Sequence, residues 1–367
     1  MQIRSITLNR ARIPFRQAFS HAAAKRAESD VIHVAITDDS GHTGFGEIQA
    51  RPYVTGEDND AVFERTAPAL AEQLLNVTLT DRASVEHWLA TRADRTSQPA
   101  CVGGFDLALH DLLDLNGLLD WSNALGPART RPIGKCITIG DDQDDKALIK
   151  QARFARLSGC TVAKLKVSGP DDLERCQTLR KHLGAAIAIR LDGNGQMTLD
   201  GATELLTRAA DLDLQSLEEP FDAKATDVDE RLRTLHAETG VALVADESAC
   251  TAADVERCAE QSTYQIINAR VGKCGGITGV RDVVDAARKH GLGLVCGTMV
   301  GESAVLLRYS KKLLHHCDAL DYVEGIDQNK TLLADEVIVA CEDAALSHFH
   351  WQQDKRELFT VGTRNFG

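Results

Sequence analysis

The sequence lacks the patterns of a membrane protein, a zinc protein or a disulfide-stabilised secreted protein. No apolar run approaches the ~20 residues of a transmembrane helix, and the opening segment "MQIRSITLNRARIPF" has no apolar signal core. The ten cysteines are scattered, with no CxxC pair and no Cys/His set at zinc spacing. We therefore expect reduced thiols in a cytoplasmic protein that does not attach to a membrane.

Positive charge is also scarce. Lys and Arg total 41 against 54 Asp and Glu, which gives a formal net charge of -13. Affinity for phosphate backbones depends on clustered Lys and Arg, so a nucleic-acid partner is not expected. The 367 residues suit two domains, and a hydrophobic content of 43% supplies a large core.

The first 125 residues predict a separate α+β unit. "QIRSITLNRARIPF" and "DVIHVAITDDSGHTGFGEI" alternate apolar and polar residues around a "DDSG" turn, as strands do. Between residues 60 and 125 the apolar residues take helical spacing, as in "GGFDLALHDLLDLNGLL". We assign residues 1–125 to an N-terminal capping domain.

Residues 126–330 alternate eight short apolar runs with amphipathic segments, which predicts parallel strands joined by helices. Eight such units favour a (β/α)8-type, modified TIM barrel. A doubly wound open sheet is the alternative, but no GxGxxG follows the first run, which weakens a dinucleotide-binding version. Residues 331–367 are too long for a terminal helix, and we expect them to return to the capping domain.

Three consecutive predicted strands each end in a carboxylate. Asp192 follows "RL", Glu218 opens "EEP", and Asp246 lies in "ADES", at separations of 26 and 28 residues. In a barrel these ends lie side by side, where bare carboxylates would repel one another. Any one of them could instead be a solvated loop acid or a helix N-cap. Three in phase favour a hard divalent cation bound by oxygen ligands, namely Mg²⁺, with Mn²⁺ as an alternative.

Lys164 and Lys166 in "TVAKLKVSG" point to the same face of the preceding strand. A neighbouring cation lowers a lysine pKa and makes it a usable base near neutrality. A metal would hold a substrate carboxylate and stabilise the charge that forms when the adjacent C–H loses its proton. The pair could otherwise be a solvated strand end or a salt bridge to Asp192.

In this arrangement the sequence resembles the enolase superfamily, in particular its mandelate racemase/muconate lactonizing enzyme-like members, over nearly the whole chain. The muconate lactonizing enzyme subgroup also includes dipeptide epimerases, N-succinylamino acid racemases and o-succinylbenzoate synthases. The motifs that carry the resemblance are "GFGE", "VTGE", "KLK", "LDGN", "LEEP", "ADES", "KCGG" and "GTMVGES". The resemblance implies an (α/β) barrel with one Mg²⁺ per active site and a homo-oligomer, either a dimer or an octamer.

By the same resemblance, Asp192, Glu218 and Asp246 are the metal ligands, Lys166 is the acid/base and Lys164 neutralises the substrate carboxylate. Asn194, Glu247 and Lys273 are then expected beside the ligands. Loops of the capping domain should close the pocket over an anionic carboxylate substrate, and the candidate contacts are His21, Arg26, Arg51 and Tyr53.

The string "RVGKCGG" departs from the family pattern, because Arg270 stands where two-base members carry a second lysine. Arginine stays protonated in proteins, so it is a poor general base. We therefore expect one-base chemistry, either cycloisomerisation or syn elimination as in a muconate cycloisomerase-like isomerase or lyase. The alternative is an epimerase or racemase of dipeptides or N-acyl amino acids.

Two further departures concern the last strands. The dipeptide-epimerase pair D-x-D is replaced by "LDYVEGID", where Glu324 is a candidate partner for a substrate cation. Glu302 follows an additional Gly301, and we retain it as a candidate polar catalytic group. The rival interpretations are a catalytically silent barrel that serves as a binding protein and a metal-dependent aldolase-type lyase, which needs no lysine pair.

Overall fold

The computed structural model describes residues 1–21, 24–92, 94–140, 144–334 and 356–361. Within these ranges the side chains of residues 17–21, 24–26, 92, 330, 331 and 356–361 are not described. Two bodies of secondary structure are present: an antiparallel sheet with helices, and a closed barrel of eight parallel strands. The predicted fold class, a barrel with an α+β cap, is confirmed.

The cap is built on a sheet of strand order β12-β1-β2-β3, whose strands are β1 (Ile3–His21), β2 (Ala24–Asp38), β3 (Thr43–Ile48) and β12 (Arg356–Val361). The last strand pairs with β1, so the chain returns to the cap after the barrel. The helices of the cap are α1 (Asn59–Ala61), a π-helical turn (Val62–Thr66), α2 (Ala67–Leu74), α3 (Arg82–Arg92), α4 (Pro99–Leu115) and α5 (Trp121–Leu125).

Small residues allow β3 to lie directly on α4. A Cβ on Gly46 would lie 1.9 Å from the carbonyl oxygen of Gly104, and one on Gly44 would lie 2.2 Å from that of Ala108. Only glycine permits such an approach. The "GFGE" motif is therefore a packing element in the hairpin formed by the antiparallel strands β2 and β3.

The barrel closes in the order β4 to β11, with β11 beside β4. Its strands are β4 (Gly134–Ile139), β5 (Val162–Lys166), β6 (Ala188–Asp192), β7 (Leu214–Glu218), β8 (Ala242–Ala245), β9 (Ile266–Ala269), β10 (Gly293–Cys296) and β11 (Leu320–Glu324). Its helices are α6 (Asp145–Leu157), α7 (Leu173–Leu183), α8 (Leu199–Arg208), α9 (Val228–Thr239), α10 (Ala252–Glu260), α11 (Gly276–Lys289), α12 (Ala304–His316) and α13 (Gln328–Leu332), with 3-10 turns at Pro170–Asp172 and Ala210–Leu212.

All eight predicted runs thus form barrel strands, because buried parallel strands are apolar on both faces. The domain boundaries at residues 125 and 330 stay predictions. The first barrel strand begins at Gly134 and the last ends at Glu324.

Buried carboxylates of the cap fix it to the barrel helices. Glu47 accepts hydrogen bonds from the backbone N–H groups of Ser303 (3.0 Å) and Leu306 (3.2 Å) at the start of α12. Asp106 accepts one from Ile277 (2.6 Å) at the start of α11. Helix N-termini leave such N–H groups unpaired, so these acids act as caps supplied from another domain.

The barrel interior changes from apolar to polar along its axis. Inside the barrel, Val162, Val244, Val295 and Tyr322 pack into one small cluster. Because alternate residues face inward, the next residues in that direction include Lys164, Arg190 and Asn268. The polar end of the barrel therefore has a rigid apolar base.

Within the described residues, no helix has the length and the apolar character that a membrane crossing requires. The nine described cysteines are free thiols, as expected from their spacing.

Candidate active site

The carboxyl ends of β5, β6 and β7 align three charged side chains. Lys166 is the register partner of Asp192, and Asp192 is the register partner of Glu218. Asp246 lies two residues beyond Val244, the partner of Glu218 on β8. All four side chains are buried, so the spacing of one β/α unit does bring the acids to one end of the barrel.

Lys164 lies within reach of three carboxylates. Its Nζ is 2.7 Å from Oε2 of Glu324, 3.2 Å from Oε1 of Glu218 and 3.4 Å from Oδ2 of Asp192. Burial alone would lower the pKa of this ammonium, but the three carboxylates raise it. Lys164 is thus an ammonium paired with three carboxylates.

Lys166 has different surroundings. Its Nζ donates a 2.6 Å hydrogen bond to Oδ1 of Asn194, and the side chain lines the central cavity with 8% of its surface exposed. Asn194 follows the end of β6 with a left-handed backbone (φ 45°), and its own N–H donates to Asp192. The tight turn "DGNG" therefore carries Asn194 to the lysine.

Two basic groups contact Asp246. Lys273, fully buried, donates to Oδ1 at 2.9 Å and also to the backbone carbonyl of Asp246. Nη2 of Arg270 contacts Oδ2 and lies 3.8 Å from Oε1 of Glu218. The guanidinium of Arg270 thus bridges two of the three predicted metal ligands.

Glu218 is the most strongly compensated acid. Burial would raise its pKa, but Lys164, Arg190 and Arg270 lower it to about 2. Asn268 donates to its Oε1 at 3.2 Å, whereas its buried Oε2 has no hydrogen-bond partner. Glu218 therefore stays a carboxylate with one oxygen available to a further ligand.

The sequence analysis missed Arg190 and Asn268. Arg190 is fully buried in the barrel, where Nε donates to Ser216 at 2.6 Å and the guanidinium lies 4.4 Å from the ring centroid of Tyr322. Each of the two precedes a predicted site residue by two positions in its strand. Residues two apart in a strand point to the same face, so Arg190 and Asn268 could have been found by stepping back two positions from Asp192 and Arg270.

Glu219 braces the loop that carries Asp246. Its oxygens accept hydrogen bonds from the N–H of Asp246 (2.7 Å), the N–H of Ser248 (2.8 Å) and the hydroxyl of Tyr264 (3.1 Å). Burial raises the pKa of Glu219 to about 7. The left-handed backbone at this residue (φ 36°) turns its side chain from the barrel axis toward β8.

Glu247 faces the cavity next to Asp246. Burial, together with the nearby charges of Glu219 and Asp192, raises its pKa to about 8.

The remaining predicted residues divide into three groups. Glu302 does not join the described lining of the cavity: it is fully buried, accepts a 2.7 Å hydrogen bond from the N–H of Met299, and burial raises its pKa to about 8. Arg51 and Tyr53 do line the cavity, and Arg51 donates to the carbonyls of Asp30 and Ala50. The side chains of His21 and Arg26 lie outside the described residues.

Glu324 lies close to two cations of the protein. It lines the cavity, but its carboxylate is engaged by Lys164 and lies 3.7 Å from Nη1 of Arg190. In this structure its partners are two cations of the protein itself, and a contact with a substrate cation stays a prediction.

The oxygen donors suit a hard divalent ion. Asp192, Glu218 and Asp246 supply carboxylates only, and Mg²⁺ prefers such ligands. In the described part of the chain, no three acidic, His or Cys side chains are already grouped as a metal site, and Lys164 and Arg270 contact these acids. The donor chemistry fits Mg²⁺, and binding would require Arg270 to release Asp246.

The cavity above these residues has a volume of about 960 Å³, which is ample for a small molecule.

Comparison with known proteins gives the family. The family described as enolase C-terminal domain-like matches residues 147–346, more than half of the chain. The chain belongs to this family and hence to the enolase superfamily of enzymes.

Individual relatives extend over both bodies of the fold. The chain is 25% identical to a hydrophobic dipeptide epimerase of Enterococcus faecalis over 83% of its own length and 84% of the relative. It is 24% identical to the o-succinylbenzoate synthase of Bacillus subtilis over 82% and 81%. The crystal structure of a dipeptide epimerase from Cytophaga hutchinsonii, complexed with Mg and D-Ala-L-Val, covers 98% of the chain and 100% of its own with a TM-score of 0.84 at 21% identity, a likeness of fold.

Proposed function

We propose that this enzyme removes the proton α to the carboxylate of a small anionic substrate, with Lys166 as the acid/base. The observation that carries the proposal is the position of Lys166, which lines the cavity next to its strand partner Asp192. Asn194 orients its ammonium, and the fixed charge of Lys164 lies on the same face of β5. Asp192, Glu218 and Asp246 would hold Mg²⁺.

When bound, Mg²⁺ would supply a charge that stabilises the electron-rich carboxylate formed as the α-proton leaves. The protein residues do the rest. Lys166 takes the proton, Lys164 adds positive charge near the substrate carboxylate, and the cavity walls orient the C–H bond toward Lys166.

Epimerisation of an amino-acid derivative is the first candidate reaction. The dipeptide epimerases among the relatives support it, and so does the Mg and dipeptide in the C. hutchinsonii structure. A dipeptide or an N-acyl amino acid has the acidic α-carbon and the carboxylate that this arrangement requires. The chain would then share a reaction type with these relatives.

Arg270 favours a second candidate, a one-base cycloisomerisation or syn elimination. The guanidinium of Arg270 bridges Asp246 and Glu218, and arginine is a poor general acid–base group in proteins. Lys166 would then both remove the proton and assist the later step from one face. The o-succinylbenzoate synthase among the relatives is consistent with this chemistry.

The test is solvent exchange. The enzyme with Mg²⁺ in D₂O is incubated with a library of dipeptides, N-acyl amino acids and other small carboxylic acids, and α-deuterium is followed by NMR. Lys166→Ala should lower exchange by a factor on the order of 100 or more, because it removes the base. Lys146→Ala on exposed α6 is the matched control and should not change it.

The stereochemistry of the exchanged substrate distinguishes the two candidates. Inversion at the labelled carbon supports epimerisation, whereas exchange with retained configuration or formation of an unsaturated product supports the one-base reaction. Absence of exchange on every acid, with Lys166→Ala indistinguishable from the parent, would point to a binding protein instead.

A further inference from the structure

Lys164 is surrounded by carboxylates from two sides of the barrel. Asp192 and Glu218 lie on β6 and β7, on one side of β5, and Glu324 lies on β11, on the other side beyond β4. An ammonium has three N–H donors, and the three acids lie at 2.7–3.4 Å from Nζ. Glu324 makes the shortest of these contacts.

Glu324 is itself held in place. Nη1 of Arg190 lies 3.7 Å from its Oε1, and the ring of Tyr322, two residues earlier on β11, lies under the Arg190 guanidinium. Arg190 in turn donates to Ser216. A carboxylate that is 6% exposed and faces two cations of the protein is part of a rigid charge network.

We infer that Glu324 is a positioning residue that takes up part of the pairing of the Lys164 ammonium, which Asp192 and Glu218 share, so that these two acids are more available to a divalent cation. The inference rests on the proposed function, since it assigns those acids to metal binding. Without Glu324, two of the three carboxylate partners of Lys164 remain, Asp192 and Glu218. The ammonium would then move closer to these two acids. A lysine held more tightly by the ligands competes with the metal for the same oxygens.

The inference also separates Glu324 from the substrate. Its nearest cation is Lys164, at 2.7 Å, so its charge is already engaged within the protein. The other acids in the described cavity lining are Asp192, Glu247 and Asp327, and Asp327 lies 3.4 Å from Lys311. A role in holding Lys164 therefore accounts for Glu324 without a charged amine on the substrate.

The test is a double-mutant cycle on Mg²⁺ affinity, measured by titration calorimetry on the full chain. Glu324→Gln should weaken Mg²⁺ binding by at least about fivefold, the lower end of typical coupling between sites. In a Lys164→Met background the same change should have little effect, because the lysine that competes is gone. Asp321→Asn, an exposed acid on the same strand, is the matched control and should leave affinity unchanged.

If Glu324→Gln acted through overall charge or folding, it would weaken Mg²⁺ binding equally in the parent and in the Lys164→Met background. Equal losses of affinity would therefore overturn the inference. A second cycle follows the denaturant midpoint in Mg²⁺-free protein. Additive midpoint shifts for Glu324→Gln and Lys164→Met would also overturn it, whatever the metal does. Coupled shifts in a parent that binds no Mg²⁺ would support the hold on Lys164 and count against the proposed function.

Substrate kinetics give an independent readout once a substrate is known. We expect Glu324→Gln to lower kcat through misplaced Lys164 for free-amine and N-acylated substrates alike. A rise in KM confined to substrates with a free amine would instead assign Glu324 to the substrate and refute the positioning role.

Discussion

Arg270 determines what the second face of the pocket can do. Its guanidinium lies against Asp246 and near Glu218, and 13% of its side chain is exposed to the cavity. A lysine at the same place would keep the positive charge and add a proton that can be exchanged. In the proposed reaction, this residue would therefore affect the balance between exchange with retained configuration and inversion.

Arg270→Lys should raise the ratio of inversion to retained exchange by a factor on the order of 100, the typical contribution of a general acid–base group. Deuterium NMR combined with chiral chromatography of the recovered substrate measures this ratio. Arg270→Met, which loses the charge and gains no base, is the control and should lower exchange without favouring inversion. An unchanged ratio in Arg270→Lys would mean that this residue does not face the reacting carbon.

The sequence indicated that the acids at strand ends would lie side by side, but not that charged residues lie inside the strands. Asp192, Glu218 and Asp246 could be found because each begins a polar turn after an apolar run. Arg190 lies inside such a run, and its guanidinium stays buried only because Glu218, Glu324, Ser216 and Tyr322 converge on it from other strands. Those contacts depend on the closed barrel and are not visible in the local sequence.

Helix α12 depends on an acid from the opposite end of the chain. Glu47 on β3 accepts two backbone N–H groups and the hydroxyl of Ser303, although 256 residues separate the partners. Burial raises the pKa of Glu47 from 4.5 to about 7. The Glu47 carboxyl is thus protonated at acidic pH and ionised above neutrality.

The raised pKa makes the contribution of Glu47 depend on pH. Between about pH 4.5 and pH 7 the unfolded chain has lost this proton while the folded protein retains it, so the unfolding free energy falls as the pH rises. At ~1.4 kcal/mol per pKa unit the full change is about 3 kcal/mol. Glu47→Gln cannot ionise and should lose this pH dependence.

Chemical denaturation of the parent and of Glu47→Gln at several pH values measures the effect. We expect the parent to lose about 3 kcal/mol relative to the variant between pH 4 and pH 8. Thr251→Ala removes the non-titrating cap of α10 and should cost about 1 kcal/mol at every pH. A difference between parent and Glu47→Gln that stays constant would place the titration elsewhere.

At the level of elements, the strands could be predicted and the long-range caps could not. The run "VAKLKVS" contains β5 and "LDYVEG" contains β11, because burial on both faces requires apolar residues. Asp106 and Glu47 lie in a helix and a strand of the cap, where nothing local identifies them as caps for α11 and α12. A capping motif can be read only when donor and acceptor are neighbours in sequence.

At the scale of the whole molecule, the barrel holds many charged side chains in its interior. Lys164, Arg190, Arg270 and Lys273 already neutralise Asp192, Glu218, Asp246 and Glu324. These pairings offset part of the cost of burying the acids. A bound Mg²⁺ would have to compete with the same cations.

We therefore expect Mg²⁺ to stabilise the folded protein, and Arg270→Ala to strengthen that effect by removing one competitor. At a concentration 100 times the Kd, a ligand that binds only the folded state adds about 2.7 kcal/mol, which calorimetry or a thermal shift detects. Asp246→Asn removes a proposed ligand and should abolish most of the gain, whereas Asp321→Asn should preserve it. If Mg²⁺ stabilised Asp246→Asn as much as the parent, the ion would bind elsewhere, and the acids of β6, β7 and β8 would serve only to pair with the cations around them.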